Sequence, residues 1–210
     1  MRRHLLRVST ALLVALCSAC ATLQPAPVDR AGVNAKWRTH HDTLASIQHF
    51  TLNGRAASGV GVKADLRWQQ FDDGHFEIRI AGPFGAGAVA ISGTPDHVEI
   101  RTKDGVEHTD DPQAWLFQRA GWSFPIAGLR WWVLGLPAPN APAQIELDAQ
   151  GRLAALTQAG WTLQYQEYQD VGDIALPRRF EAKNQQITLK LIADEWTGID
   201  ARSRALLPAP

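Results

Sequence analysis

The sequence predicts a mainly β protein with a few helices, an antiparallel sheet of about eleven strands that curls into a barrel or an incomplete one under a cover of helices. Three observations lead there. From residue 50 onward, apolar and polar residues alternate with a period of two, as in antiparallel strands that are wet on one face. Turn signals such as Asp73-Gly74, Pro95-Asp96 and Asp104-Gly105 come at short spacing, so neighbouring strands should form a meander. Helical stretches interrupt the strands midway, and another precedes them. A sheet of that width coils, and its apolar face must be covered. Short helices are the cover available. The residues leave open whether the interior is a lidded apolar pocket or a barrel filled by its own side chains.

The first element is a leader. Arg2, Arg3 and Arg7 form a basic front, Ala11–Leu16 (ALLVAL) is a short apolar core, and CSAC ends it in small residues, the order of a secretory signal peptide over residues 1–19. The apolar run is far short of the roughly 20 residues of a membrane-spanning helix. Cys17 and Cys20 are the only cysteines, so cleavage before Cys20 leaves one thiol, at the mature N-terminus, and no internal disulfide. CSAC resembles the bacterial lipobox, whose last cysteine is lipidated. Cys17 stands where that motif usually has leucine, and Ala21 follows Cys20 in place of the aspartate that retains such proteins in the inner membrane. The likeness points to an outer-membrane lipid anchor on Cys20.

Residues 20–31 read as the lipidated N-terminus and a flexible tether. Pro25 and Pro27 interrupt any period, and the extended stretch reaches about 40 Å at ~3.4 Å per residue. Residues 32–210 form one domain. VNAKWRTHHDTLASIQHF reads as its leading helix, with Val33, Trp37, His40/His41, Leu44 and Ile47 recurring every three or four positions. His40-His41 is a partly wet helix face, because adjacent helical residues diverge and no other ligand completes a metal site. VKADLRWQQ sets Val62, Ala64, Leu66 and Trp68 on one face, HFEIRIAG does so with Phe76, Ile78 and Ile80, and HVEIRTK with Val98 and Ile100. Asp111 is the candidate N-cap of DDPQAWLFQRAG, with Pro112 at its first position and Gly121 as its stop. FPIAGLRWWVLGLP is a second inserted helix with the stripe Ile126, Leu129, Trp132/Val133 and Leu136, ended by Gly135 and Pro137. Strands resume with QIELDAQGRLAALTQ, WTLQYQEYQ, PRRFEAKN and QITLKLIADEW. Between the early strands, RIAGPFGAGAVAISG bends at Gly82–Gly85 and carries Phe84 at its tip, flanked by Pro83 and Gly85, with no charge until Asp96.

Several function classes drop out. Residues 1–19 hold three arginines and no acid, so their removal from a chain with 21 Lys+Arg and 21 Asp+Glu leaves three more acids than bases, not the basic excess of a nucleic-acid binder. There is no Gly-x-Ser-x-Gly elbow, no His-Glu-x-x-His and no paired-cysteine metal spacing. GPFGAG leads into a strand, not a helix N-terminus, so it is no phosphate cradle. Asp110-Asp111 is better explained as a helix cap than as a carboxylate pair. No enzyme, cofactor or metal site is expected.

The lipobox, the tether, the leading helix, the PFG tip and GWSFPIAGLRWWVLGLPAP together resemble the LolB family of outer-membrane lipoprotein receptors. LRWWVLGLP (Leu129 to Pro137) is the most specific part, and WQQ at Trp68 and the closing ITLKLIADEW add to it. The resemblance implies an incomplete (unclosed) antiparallel β-barrel of about eleven strands with a helical lid over an apolar cavity, a monomer at the periplasmic face of the outer membrane, anchored through Cys20. Such a protein accepts acylated lipoprotein cargo from a LolA-type carrier and passes it to outer-membrane lipid without nucleotide hydrolysis. It implies a membrane-inserting tip at Pro83, Phe84 and Gly85, with Phe84 where the family usually has leucine. It also implies an acyl-chain cavity and lid formed by Leu66, Trp68, Leu129, Trp132, Val133 and Leu136. The rival readings are a lipid-anchored scaffold subunit of an outer-membrane assembly and a carrier of free phospholipid or glycolipid.

Overall fold

The computed structural model describes residues 30–59, 63–120 and 125–199. A helix, α1 (Arg30–Ala45), precedes six strands: β1 (Phe50–Ser58), β2 (Lys63–Gln70), β3 (Phe76–Ala81), β4 (Val89–Thr94), β5 (His97–Thr102) and β6 (Gly105–Thr109). Two helices follow, α2 (Pro112–Ala120) and α3 (Ile126–Leu134), and then β7 (Ala143–Leu147), β8 (Leu153–Gln158), β9 (Trp161–Val171), β10 (Ile174–Lys183) and β11 (Thr188–Thr197).

All eleven strands form one antiparallel sheet in the order β6-β5-β4-β3-β2-β1-β11-β10-β9-β8-β7. Each run of consecutive strands is a meander, as the turn chemistry predicts, and the runs are joined by the long-range pairing of β1 with β11. The outer strands β6 and β7 do not pair, so the barrel is unclosed, and the chain passes from one edge to the other through α2 and α3.

Alternation decides which side chains turn inward. Trp196, Leu52, Trp68, Ile78, Ile91 and Ile100 are directly opposed across successive strands and form one apolar row over half the sheet. On the neighbouring register positions Arg67 opposes Arg79 on the wet side. The row is the spine of a single core that also holds Phe50, whose ring packs 5.5 Å from Trp68 and 5.2 Å from Trp196.

The helices depart from expectation in instructive ways. The leading helix was predicted to run to Phe50 but ends at Ala45, and it starts at Arg30, inside the stretch read as tether. Ser46 and Ile47 close it with N–H bonds to Thr43 and Leu44 carbonyls, which frees Phe50 to alternate with Leu52 in β1. α1 lies on the β7–β8 turn, where a Cβ on Gly151 would sit 2.6 Å from Lys36 Cβ and 2.8 Å from Trp37 N, so only glycine permits this approach. Asp111 caps α2 as predicted, its Oδ1 accepting from Ala114 N at 2.8 Å. Gly135 ends α3 in the left-handed region at φ 82°, and the N–H groups of Gly135 and Leu136 return to the carbonyls of Trp132 and Trp131. Among the described residues no helix is long and apolar enough to cross a membrane. Cys20, Val62 and Gly121 lie outside the described residues.

Candidate functional site

α3 lies across the inner face of the sheet, and its two halves do different work. The C-terminal half is fixed. Trp132 is buried and donates its indole N–H to Gln158 Oε1 at 2.8 Å, and the Tyr165 hydroxyl donates to Trp132 O at 2.8 Å. Gln158, itself buried, also accepts from Ala138 N and donates to the carbonyls of Ala138 and Ala141, so one side chain ties α3 and the loop after it to β8. Burial pushes the Tyr165 phenol well above its ordinary pKa, so it stays a neutral donor.

The N-terminal half of α3 leaves a space. Ile126, Leu129, Arg130 and Trp131 face Trp68, Gln70, Phe76 and Ile78 of β2 and β3 across a cleft of about 120 Å³. Its walls are mainly aromatic and aliphatic. Arg130 Nη2 donates to Ile47 O at 2.7 Å, which bridges α3 to the loop between α1 and β1, and its guanidinium lies 5.1 Å over the Trp131 ring. Burial lowers the Arg130 pKa, but a guanidinium remains a cation.

Of the residues read as lining an acyl cavity, Trp68 and Leu129 border the cleft. Trp132, Val133 and Leu136 are instead seated in the core with 1%, 1% and 0% exposure, and Leu66 is buried on the inner face beside Trp68. The reason is the Trp132–Gln158 bond, together with the left-handed cap at Gly135, which turns Leu136 back into the core. The interior therefore lies closer to the filled barrel than to the wide pocket, with the cleft as the space left over. Sequence reasoning missed Arg130, Gln158 and the part of Phe76 and Ile78. A lone cation inside LRWW was the available signal for Arg130. The Asp73-Gly74 turn sets Phe76 opposite Gln70, and Ile78 opposite Trp68.

The second feature is the hairpin between β3 and β4. Pro83–Gly85 form a tight turn held by Gly82 N donating to Ala86 O at 2.8 Å and Gly85 N to Gly82 O at 2.9 Å. Phe84 sits in the left-handed region at φ 57° and is fully exposed at 110%. An aromatic in that conformation with no shelter is uncommon on both counts.

His97 pairs with Asp110 and stacks 6.3 Å from His108, and His41 meets Asp42. Among the described residues no three His, Cys, Asp or Glu side chains come together as a metal-binding group.

An unclosed antiparallel sheet crossed on its inner face by helices defines the class, the LolA-like β half-barrel. A LolA superfamily protein from Nitrosomonas europaea shares this fold, with a TM-score of 0.50 at 10% identity over 81% of this chain and 93% of that one. The sequence narrows the class further, because residues 48–196 match the family described as "Outer membrane lipoprotein LolB". The chain is 32% identical over 202 residues to the outer-membrane lipoprotein LolB of Stutzerimonas stutzeri, covering 92% of this chain and 95% of that protein. It is 34% identical over 203 residues to that of Pseudomonas syringae pv. syringae, again covering 92% and 95%. The chain belongs to the LolB family.

Proposed function

We propose that this chain is a lipoprotein receptor of the outer membrane, anchored on the periplasmic face through Cys20. It takes acylated lipoprotein cargo from a LolA-type carrier as a monomer and releases it into outer-membrane lipid, with no catalytic step and no nucleotide. The observation that carries this is the uncharged, fully exposed Phe84 tip on a LolB-family half-barrel. An exposed large apolar group marks a contact, and lipid is the contact that an unblunted aromatic tip near a lipid anchor fits.

The cleft supplies the other half. Each acyl CH2 left in water costs about 0.8 kcal/mol, so cargo chains must be sheltered in transit. At about 120 Å³ the cleft is smaller than the roughly 300 Å³ at which small-molecule sites begin, so the N-terminal half of α3 must swing off β2 and β3 to admit a chain. That half is held to the α1–β1 loop through the Arg130 bond, while the C-terminal half is pinned by Gln158. A site that must open to bind holds its ligand loosely, which favours onward release to a membrane.

A photo-crosslinker at Leu129 or Ile78 should capture the acyl part of cargo, while one at Glu77, on the opposite face of β3, should not. Cargo delivered normally with no crosslink at either inner position would overturn the cleft as the acyl site.

A further inference from the structure

Five buried side-chain nitrogen or oxygen atoms have no hydrogen-bond partner among the described residues, and two of them belong to walls of this one cleft: Trp68 Nε1 and Arg130 Nε. Native interiors rarely leave such groups unmet, and each one costs stability unless something pairs with it. Both are donors that cannot accept. Gln70, the other polar residue of the lining, already spends its amide N–H on His75 O at 3.0 Å. The orientation of Arg130 is set by its bond to Ile47 O and by the Trp131 ring beneath it. The cleft thus has apolar walls, and two of its wall residues carry shielded N–H groups lacking acceptors.

We propose that the cleft, once the N-terminal half of α3 has swung off β2 and β3, reads the carbonyl oxygen at the root of an acyl chain, with Trp68 Nε1–H and Arg130 Nε–H as the donors, so that its ligand is an acyl ester or amide and not hydrocarbon as such. This rests on the reading of the cleft as the acyl site and specifies what that site recognises. A carbonyl is the acceptor that arrives with an alkyl chain attached, and the chain then lies along Phe76, Ile78 and Leu129. A phosphate would meet the same donors, but desolvating it between tryptophans is costly. The donors also select against ether-linked or purely aliphatic molecules that fill the same volume, since these leave both N–H groups unmet.

Two sources carry such carbonyls, the diacylglyceryl-cysteine terminus of a lipoprotein and the glycerol esters of a phospholipid. The test uses the mature chain and matched probes of equal chain length. One pair is a cysteine peptide carrying an ester-linked diacylglyceryl group and its dialkyl-ether counterpart. The other is ester-linked phosphatidylethanolamine and its ether counterpart. Affinities are read from tryptophan fluorescence. One carbonyl hydrogen bond inside the cleft gives about a tenfold preference for ester over ether. A preference in the peptide pair alone assigns the site to lipoprotein, in the phospholipid pair alone to membrane lipid, and in both to the shared acyl ester. Trp68→Phe and Arg130→Lys should each lower the ester-to-ether ratio severalfold, whereas loosened packing would weaken both probes alike and leave the ratio unchanged. If either variant melts early, the ester-to-ether ratio of the unaltered chain still decides. Equal binding of ester and ether overturns the inference and leaves the acyl cleft standing. No binding of either by the unaltered chain overturns the acyl cleft itself.

Discussion

Replacing Phe84 with glutamate separates folding from membrane contact. The ring is 110% exposed, so the substitution removes nothing from the core, and stability should stay within about 0.5 kcal/mol of the original. The backbone there is left-handed at φ 57°, a cost carried by either side chain. The turn is held by backbone bonds of Gly82, Gly85 and Ala86, none of which involves the ring. The loss falls on lipid contact. Burying a phenyl ring is worth about 2 kcal/mol, and forgoing it weakens engagement of the tip roughly 30-fold, before any penalty for a carboxylate at the membrane. The assay has three readings: melting temperature, acceptance of cargo from the carrier, and delivery into vesicles. Phe84→Glu should leave the first two unchanged and slow the third by at least an order of magnitude, with cargo stalled on the receptor. Phe84→Leu should behave as the original. A sharply lowered melting temperature would show that the ring is part of the core, and delivery at the original rate would show that the tip is dispensable.

Two further outcomes follow from a buried and a half-buried polar group. Gln158→Leu leaves Trp132 Nε1 and the Ala138 N–H and C=O without their partner inside the core, at a cost of about 3 kcal/mol, measurable by urea denaturation. His40 has its pKa lowered below the ordinary 6.5, first by burial, then by Arg152 and His41, against Asp148. The unfolded chain therefore binds the proton more readily, and stability present above pH 6.5 is lost as pH falls through the folded-state value. His40→Gln should flatten that part of the pH–stability curve, and an unchanged slope would assign it to other groups.

Much of this architecture was readable because strands advertise themselves by alternation. Leu66 and Trp68, or Phe76, Ile78 and Ile80, name their shared face without any knowledge of partners, and Asp111-Pro112 names a helix start through capping chemistry. The end of α1 was not readable, because Ile47 and Phe50 continue a helical spacing and only the pairing of β1 with β2 and β11 decides that Phe50 belongs to a strand. The split of the α3 stripe was hidden for a similar reason. Leu129 and Trp132 look equivalent on a helical wheel, and what separates them is Gln158, a residue 26 positions beyond Trp132 whose buried side chain fixes one half of the helix. Orphan donors are likewise invisible in sequence, since every tryptophan and arginine carries N–H groups and only packing shows which go unmet.

The proposed function requires cargo to pass downhill from carrier to this chain. The direct measurement is to mix a LolA-type carrier loaded with acylated lipoprotein with the mature chain made unlipidated by Cys20→Ala, in the absence of nucleotide and membrane, and to follow which protein holds the cargo. The lipoprotein should leave the carrier and co-elute with this chain in a one-to-one complex. Cargo that stays on the carrier, or moves only when nucleotide is supplied, would contradict the proposed function.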